Sequence, residues 1–308
     1  MKSIEQEKTN QAIGKQTIRF DCPPAILSRA SIVGEMEGQG PLASYFDQIE
    51  PDPAFGMDSW EEGESEMVRR AVQTAITKSG IDKEKIRYIF GGDLLGQLIG
   101  STFGLKDFQI PIFGLYGACS TCGEALSLAA MTVNAGYASH VIAVTSSHFG
   151  GAEKQFRFPL EYGNQRPLSS TWTVTGSGAF LVSATTKDQP MKEYPRITSV
   201  TTGKIVDYGV RDNMNMGACM APAAADVIYQ CLEDLGVKPA YFDKIITGDL
   251  GKVGSEILIK LLRDNDYDIE PQHMDCGVEI FYNEEQDTHS GGSGCGCAAV
   301  TLAGYILH

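Results

Sequence analysis

The sequence predicts an α/β protein in which one unit is used twice and a helical layer lies between two sheets. Three observations predict this class: a helix–strand segment that occurs twice, a Gly/Cys-rich turn that follows each copy, and two further strands rich in β-branched residues. Each Gly/Cys-rich turn leads into a helix of small and apolar residues. A helix that is apolar on all sides belongs in the protein interior, so these two helices are expected to form the middle layer.

The repeated segment is marked by its glycines. The two copies are AVQTAITKSGIDKEKIRYIFGGDLLG at 71–96 and VIYQCLEDLGVKPAYFDKIITGDLGK at 227–252. In each copy a helical apolar pattern ends at a glycine suited to a C-cap, Gly80 or Gly236. A strand follows at 86–90 or 244–247, and the glycine of a Gly-Asp-Leu tripeptide comes 12 residues after the capping glycine in both copies. The shared spacing predicts two halves with one topology.

The rest of the repeat sets the expected extent of each half. The turns and buried helices fall in 110–136 and 276–307, and the first copy continues into strands at 140–147 and 176–184. The second copy stops at His308, so the C-terminal half is expected to lack its last two strands. The predicted divisions of the chain are a polar N-terminal tail (1–16), an N-terminal half (17–187) and a C-terminal half (188–308).

Composition and charge narrow the function. The chain has 308 residues and a formal net charge of −14, which disfavours non-specific binding to nucleic acid or anionic lipid. It has no apolar run long enough for a transmembrane helix, and its polar first residues do not make a secretory signal. The eight cysteines of such a chain are expected to be free thiols. The sequence therefore predicts an intracellular protein that does not bind nucleic acid.

Cys119 is the leading candidate for chemistry. It lies in GACSTCGEAL, where a strand turns into one of the buried helices. Partial positive charge at a helix N-terminus lowers the pKa of a thiol, and a nucleophilic cysteine also needs a base such as His. His289 in DTHSGGSG holds the equivalent place in the second copy, so a pseudo-twofold arrangement is expected to bring it to Cys119. The alternative is a small buried thiol in a tight turn and a structural or surface histidine.

The neighbouring cysteines allow two further interpretations. Cys119 and Cys122 form a CxxC, which before a helix can be a redox pair, although the surrounding sequence is not that of thioredoxin. Together with Cys295 and Cys297 they would supply four thiolates for zinc, although CxC spacing is tight for one ion. Packing of small residues at two helix starts is favoured over both interpretations.

The stretch 147–175 is long, without regular pattern and rich in aromatic residues, which predicts an ordered loop that covers a site. Its basic residues are Lys154, Arg157 and Arg166. Because the planar guanidinium of Arg pairs with carboxylates, these residues are candidate ligands of an acidic molecule. A solvated loop with scattered charges is the alternative. The Gly-rich GGSGCGC lacks the GxxxxGK[ST] of a phosphate loop, so phosphate binding is the weaker option.

Several strings of the sequence resemble known families. GACSTCGEAL is similar to the nucleophile turn of thiolases and ketoacyl synthases, THSGGSG to the thiolase turn with a catalytic histidine, and TGSGAFLVS to a strand of the same superfamily. FRFPLEYGNQRPLSSTWTVTGSGA, NMGACMAPAAADVI and DTHSGGSGCGC resemble the stage V sporulation protein AD family, and this similarity extends from about residue 16 to residue 307. The resemblance implies a thiolase-like duplicated fold of five layers, αβαβα.

The resemblance also implies a function. The family is expected to bind dipicolinic acid, as its calcium chelate, for uptake into the developing spore. It is expected to lie peripherally at the forespore inner membrane beside other stage V sporulation membrane proteins, to form a homodimer by analogy with thiolases, and to need no cofactor apart from calcium carried with the ligand. By position, Cys119 takes the nucleophile place and His289 the histidine place, and both join Lys154, Arg157 and Arg166 as predicted ligand-binding residues.

The sequence departs from the acyl-transfer enzymes of the superfamily at their other catalytic groups. Those enzymes carry a His or Asn just after the strand that matches 244–247, whereas this chain has GDLGKVG. The second cysteine of the last thiolase strand is also missing. Such losses remove on the order of several kcal/mol of transition-state stabilisation, so binding is favoured over catalysis. An acyltransferase that uses Cys119, like a thiolase or ketoacyl synthase, is the main alternative, and a scaffold for membrane partners is another.

Overall fold

The computed structural model describes residues 11–156, 165–188 and 191–308. Its strands are β1 (Ala12–Ile13), β2 (Thr17–Arg19), β3 (Ala25–Gly34), β4 (Gln48–Glu50), β5 (Tyr88–Asp93), β6 (Ile112–Gly114), β7 (His140–Ser147), β8 (Trp172–Thr173), β9 (Gly176–Ser183), β10 (Ser199–Thr201), β11 (Ile245–Thr247), β12 (His273–Asp275) and β13 (Gly292–Ser293). Its helices are α1 (Glu35–Gly38), α2 (Trp60–Ser79), α3 (Ile99–Leu105), α4 (Thr121–Asn134), α5 (Phe149–Phe156), α6 (Met216–Leu235), α7 (Gly251–Arg263), α8 (Cys276–Glu279) and α9 (Cys295–Thr301).

A mixed six-stranded sheet organises the first half, with the strand order β4-β3-β9-β7-β5-β6. Strand β9 runs antiparallel to both of its neighbours, β3 and β7, and the other pairs are parallel. All of β9 and nearly all of β7 are buried. Burial on both faces explains their unbroken apolar and small-residue composition, which is typical of a sheet covered by helices on each side.

Helices cover the two faces of this sheet and form separate cores. Helix α2 packs on one face through a cluster that includes Met67, Val68, Val72, Ile142 and Leu181. Helices α4 and α9 pack together on the opposite face through a cluster that includes Ala125, Ala129, Phe180, Val182 and Ala299. The two helices of small and apolar residues therefore lie buried against the face of the sheet opposite α2, as their composition predicts.

The second half is built around a smaller sheet. Strands β11 and β12 pair in parallel, and helices α6 and α7 pack beside them through a cluster that includes Ala221, Leu232, Leu258 and Leu262. Strand β10 pairs with β2, which joins the two predicted halves through a small antiparallel sheet with β1. The predicted division of the chain and the loss of the last two strands stay predictions, and the first ten residues of the predicted tail lie outside the described residues.

The repeated helix–strand segments are confirmed. Helices α2 and α6 both end at the predicted glycines, and Gly80 and Gly236 have φ values of +66° and +65°, a conformation that costs a residue with a Cβ. The predicted strands appear as β5, β7, β9 and β11. The description of 147–175 as an irregular loop is wrong in its first part, because residues after His148 form helix α5.

Candidate functional site

Cys119 lies in a tight 3₁₀ turn, Ala118–Ser120, that leads directly into α4. Ala118 has a φ of +48°, an unfavourable conformation for a residue with a Cβ. Side chains hold the turn in place: Thr121 Oγ1 donates to the Ala118 carbonyl at 2.7 Å, and Ser120 Oγ donates to the Gly117 carbonyl at 2.7 Å. The backbone around Cys119 is thus strained and fixed, as is common at functional sites.

The thiol of Cys119 contacts residues from the second half of the chain. The carboxylate of Asp249 and the backbone N–H of Gly294 lie close enough to the thiol to shift its pKa. Gly294 N–H also donates to Asp249 Oδ2 at 2.7 Å, and Asp249 is only 6% exposed. Cys119 packs in addition against the buried Cys295 at the start of α9. Both halves therefore meet at a thiol and a carboxylate.

The surroundings of Cys119 raise its pKa. Burial raises the pKa of the thiol well above its ordinary value, and the negative charge of Asp249 adds to this effect, while the Gly294 N–H opposes it. Burial also raises the pKa of Asp249, to about 6, although the hydrogen bond from Gly294 N–H and the nearby Cys119 thiol counteract the rise. The prediction of a lowered thiol pKa from the helix N-terminus is wrong, because burial and the adjacent carboxylate outweigh the helix.

His289 makes its contacts with a different set of groups. Its Nδ1 lies 2.9 Å from the Pro167 carbonyl oxygen, and its Nε2 lies 3.0 Å from Asp287 Oδ1. Both neighbours are acceptors, so a neutral ring donates to one of them and a protonated ring to both. Among the described residues no hydrogen bond joins His289 to Cys119, and their predicted pairing stays a prediction.

Arg166 reaches the same carboxylate as His289. Its Nη2 donates to Asp287 Oδ2 at 2.7 Å and to the Asp287 carbonyl at 2.9 Å. The side chain is only 6% exposed and its guanidinium lies 5.1 Å from the centre of the Trp172 ring. The remaining nitrogen, Nη1, is buried and has no hydrogen-bond partner in the part of the chain that the structure describes. The structure thus brings two predicted site residues together at Asp287.

Lys154 lies at a different place from Arg166. Lys154 in α5 pairs with Glu61, and its ammonium lies 5.9 Å from the centre of the Trp60 ring. The hydrogen bond from Lys154 is the main reason that the pKa of Glu61 is lowered. Arg157 lies outside the described residues. The roles of Lys154 and Arg157 in ligand binding stay predictions.

One short segment connects the surroundings of Cys119 and Asp249 with the group formed by Arg166, Asp287 and His289. It runs from Asp287, where Arg166 and His289 meet, to Gly294, which contacts Asp249 and Cys119. Midway, Ser290 accepts a hydrogen bond from Lys252 N–H through its carbonyl at 2.7 Å. This hydrogen bond fixes the segment against the first turn of α7, a helix that begins two residues after Asp249. The two clusters are therefore neighbours along the wall formed by α7 and this segment.

Two residues of the site were not predicted from the sequence. Asp249 belongs to the second Gly-Asp-Leu tripeptide, in the loop that was noted only for lacking a His or Asn. Asp287 stands two residues before His289. The signal available for Asp249 was an acidic residue in the loop where the acyl-transfer enzymes carry a His or Asn. No local pattern indicated that Asp287 would meet Arg166, because 121 residues separate them.

A redox pair and a zinc site are the two other interpretations of the cysteines. All eight cysteines are free thiols in the structure, and Cys122, Cys295 and Cys297 are buried. Across 11–156, 165–188 and 191–308, no group of three or more His, Cys, Asp or Glu side chains is placed to hold a metal ion. Within the same ranges, none of the helices combines the length and the apolar character needed to cross a membrane.

Comparison with solved structures shows the fold. The chain superposes on 3-oxoacyl-(acyl carrier protein) synthase III of Xanthomonas oryzae with a TM-score of 0.63, 12% identity and coverage of 93% of this chain and 90% of that one. It superposes on a cerulenin complex of OleA from Xanthomonas campestris with a TM-score of 0.60, 12% identity and coverage of 92% and 88%. At such low identity the likeness concerns the fold alone, and it confirms the thiolase-like α/β class.

Comparison of sequences shows the family. A family model described as stage V sporulation protein AD (SpoVAD) matches residues 14–308. The stage V sporulation protein AD of Bacillus subtilis (strain 168) is 40% identical over 294 residues, which cover 96% of this chain and 85% of that protein. The strings FRFPLEYGNQRPLSSTWTVTGSGA and DTHSGGSGCGC, from which the resemblance was inferred, lie inside the matched range. The chain therefore belongs to the stage V sporulation protein AD family.

Proposed function

We propose that this sporulation protein binds dipicolinic acid, with calcium as part of the cargo, for uptake into the developing spore. The observation that carries the proposal is the convergence of Arg166 and His289 on one carboxylate, that of Asp287. Arg166 Nη2 and His289 Nε2 thus form a fork around the carboxylate of Asp287, and this fork also suits the carboxylate of a ligand. Membership of the stage V sporulation protein AD family supports dipicolinic acid as that ligand.

The exposure of Asp287 allows a ligand to replace it. Its side chain is 75% exposed, whereas that of Arg166 is 6% exposed. The carboxylate can turn into solvent while the guanidinium stays fixed over Trp172. A ligand carboxylate would then accept from Arg166 Nη2 and His289 Nε2, the same atoms that now serve Asp287. Calcium held by the second carboxylate and the ring nitrogen of the ligand would lower the negative charge brought to an acidic protein.

Acyl transfer by Cys119 is the second candidate, and the fold shared with a 3-oxoacyl-(acyl carrier protein) synthase is the observation in its favour. The surroundings of Cys119 weigh against it, since burial and the charge of Asp249 raise the pKa of the thiol. A thiol that keeps its proton is a poor nucleophile. Exposure to acyl-CoA is therefore expected to leave the mass of Cys119 unchanged, and a covalent adduct that is absent in Cys119→Ala would favour the enzyme.

The remaining parts of the proposal concern location and partners. We place the protein peripherally at the forespore inner membrane, held by other stage V sporulation membrane proteins, and we propose that it forms a homodimer. Family membership supports the first two points and the thiolase-like fold supports the third. A scaffold role is compatible with ligand binding, because partners can bind at surfaces away from the fork of Arg166 and His289.

Calorimetric titration of dipicolinate, with and without calcium, tests the binding site. Wild-type protein is expected to give saturable heat. Arg166→Gln should weaken binding by about tenfold to a hundredfold, since a charged hydrogen bond contributes roughly 1.5–3 kcal/mol. Asp287→Asn should tighten binding by about threefold to tenfold, because it removes the internal competitor for the fork. Asn also tolerates the φ of +54° at this position.

The control is an arginine with a similar pairing at a remote place. Arg263 at the far end of α7 donates to Asp268 and Glu270 on the surface, and Arg263→Gln should leave the titration unchanged. Wild-type protein that gives no saturable heat under either condition would sink the dipicolinate proposal. Weaker binding by Asp287→Asn would show that the ligand does not use this fork.

A further inference from the structure

The guanidinium of Arg166 has one more terminal nitrogen than its present contacts use. Nη2 donates to Asp287, whereas Nη1 is buried and has no hydrogen-bond partner within the described ranges of the chain. We infer that Arg166 binds a ligand carboxylate end-on, through Nη1 as well as Nη2, and that Trp172 is the positioning residue that holds the guanidinium for this bond. The inference rests on the proposed function, because it concerns the same fork and names the planar carboxylate as the group that the fork selects.

The unpartnered Nη1 belongs to a side chain that is only 6% exposed, which indicates a missing acceptor. A buried charged donor without an acceptor is costly, so such groups in folded proteins pair with an oxygen of protein, water or ligand. Asp287 does not supply this oxygen, because its Oδ1 contacts His289 and its Oδ2 and carbonyl accept from Nη2. A ligand carboxylate has two oxygens that match the two terminal nitrogens, and a bidentate pair satisfies both nitrogens at once.

Aromatic rings hold the plane of the guanidinium. Its central carbon lies 5.1 Å from the centre of the Trp172 ring, and the Trp172 ring stacks on Phe149 with centroids 4.0 Å apart and planes inclined by 14°. The electrons of an indole face attract a cation, and a flat guanidinium also stacks on such a face. Trp172 thereby orders a long side chain before the ligand arrives, so that binding loses less rotamer freedom.

The backbone of the fork is held by contacts that do not involve the Trp172 ring. Trp172 N–H donates to the Gly291 carbonyl at 2.8 Å, next to the short parallel pair of β8 and β13. The carbonyl of Pro167, the residue after Arg166, lies 2.9 Å from His289 Nδ1. Loss of the Trp172 ring should therefore release the guanidinium and leave the backbone of the fork in place.

Substitutions at Arg166 and Trp172 separate charge, hydrogen-bond geometry and stacking. Arg166→Lys keeps the charge without the planar pair of donors, so it should weaken binding at least about tenfold, as is expected of Arg166→Gln. Trp172→Leu removes the ring and should weaken binding about threefold to thirtyfold, whereas Trp172→Phe keeps a ring face and should stay within about threefold of wild type. The matched control is Tyr88→Leu, which should bind like wild type, since the guanidinium of Arg87 lies 5.4 Å from the Tyr88 ring at the start of β5.

Calorimetric titration of the full chain and these variants with a set of related probes tests the inference. The probes are dipicolinate, isophthalate, which has the same two carboxylates on a ring without nitrogen, and dipicolinamide, which is neutral. Wild-type protein should bind both dicarboxylates, and it should bind the diamide at least about tenfold more weakly. Circular dichroism of each variant checks that it is folded.

Binding by Arg166→Lys within about threefold of wild type would show that charge alone is recognised and overturns the inference. Wild-type affinity in Trp172→Leu overturns it equally, and Trp172→Met, which fills the space without a ring, takes the place of that variant should it fail to fold. Isophthalate binding that Arg166→Lys loses, in a protein that does not bind dipicolinate, refutes the proposed function and supports the inference. Wild-type protein that binds neither dicarboxylate overturns both.

Discussion

The two Gly-Asp-Leu loops have the same tripeptide and different partners. Asp93 at the end of β5 accepts hydrogen bonds from Ser101 N–H at 2.9 Å, Ser101 Oγ at 2.8 Å and Leu95 N–H at 3.1 Å. All three donors belong to the loop and helix that immediately follow. Asp249 accepts instead from Gly294 N–H and lies near the thiol of Cys119, and both residues are far from it in sequence. One aspartate closes its own loop, and the other joins the two halves of the protein.

The elements that follow each aspartate explain this difference. After Asp93 the chain turns for several residues before α3 begins, so its own amides can fold back onto the carboxylate. After Asp249 the helix α7 begins almost at once, and the amides of Leu250 and Gly251 donate to Asp275 instead. Asp249 is thereby left to partners outside its loop. A sequence repeat thus predicts the position of a residue, and the neighbouring elements determine its role.

The largest effect is expected from Gly294→Ala, which should disrupt the arrangement around Asp249. Gly294 has a φ of +99° and a ψ of 158°, a region open essentially to glycine alone. A Cβ there would lie 2.9 Å from Ser147 Oγ and 3.1 Å from Ser147 Cβ. Backbone strain and the close contact should together lower the free energy of unfolding by about 3 kcal/mol, measured by urea denaturation.

Gly123→Ala is the control for this substitution. Gly123 lies inside helix α4, and a Cβ at that position meets no other atom within 4 Å. Alanine is the better helix former, so this variant should be more stable than wild type by about 0.5–1 kcal/mol. Equal and small effects at both glycines would show that the loop around Gly294 tolerates a side chain and does not hold Asp249 rigidly.

Buried acids should make the protein less stable as pH rises. The pKa of Glu64 is raised to about 8, first by burial and then by the charge of Asp93, and burial raises that of Asp249 to about 6. In this range the folded state binds more protons than the unfolded state, so stability falls as pH rises. Denaturation at several pH values should show a loss of about 2 kcal/mol or more between pH 4.5 and pH 8.

Two substitutions assign this loss to the two halves. Glu64→Gln should flatten the profile between pH 4.5 and about 8, and Asp249→Asn should flatten it between pH 3.8 and about 6. Glu37, whose pKa burial raises to about 7, should contribute to the slope that remains, and the histidines whose pKa burial lowers, His140, His148 and His273, should oppose it. The exposed Glu84→Gln is the control and should leave the profile unchanged. A wild-type profile that rises with pH would contradict the assignment.

Local patterns predicted the elements well and the site only in part. The capping glycines, strands β7 and β9 and the buried helix α4 follow from glycine geometry, β-branched composition and apolar content, all of which act over a few residues. The contacts of Arg166 with Asp287 and of Cys119 with Asp249 join residues far apart in sequence. Whether these contacts form depends on how α7 and the segment after Asp287 pack. The direction of the Cys119 pKa was missed for the same reason, since burial is a property of the whole fold.

The smallest expected effects come from removing one polar side-chain group beside each aspartate. Ser101→Ala removes the hydroxyl that lies 2.8 Å from Asp93 Oδ2 and should lower the free energy of unfolding by about 1 kcal/mol, because two backbone amides still hold the carboxylate. Cys119→Ala removes a thiol that makes no hydrogen bond at such a distance within the described residues, and it should lower the free energy of unfolding by about half as much. Urea denaturation of the two variants in parallel resolves the order. A larger loss for Cys119→Ala would show that the packing of Cys119 against the cluster around Cys295 stabilises the joined halves.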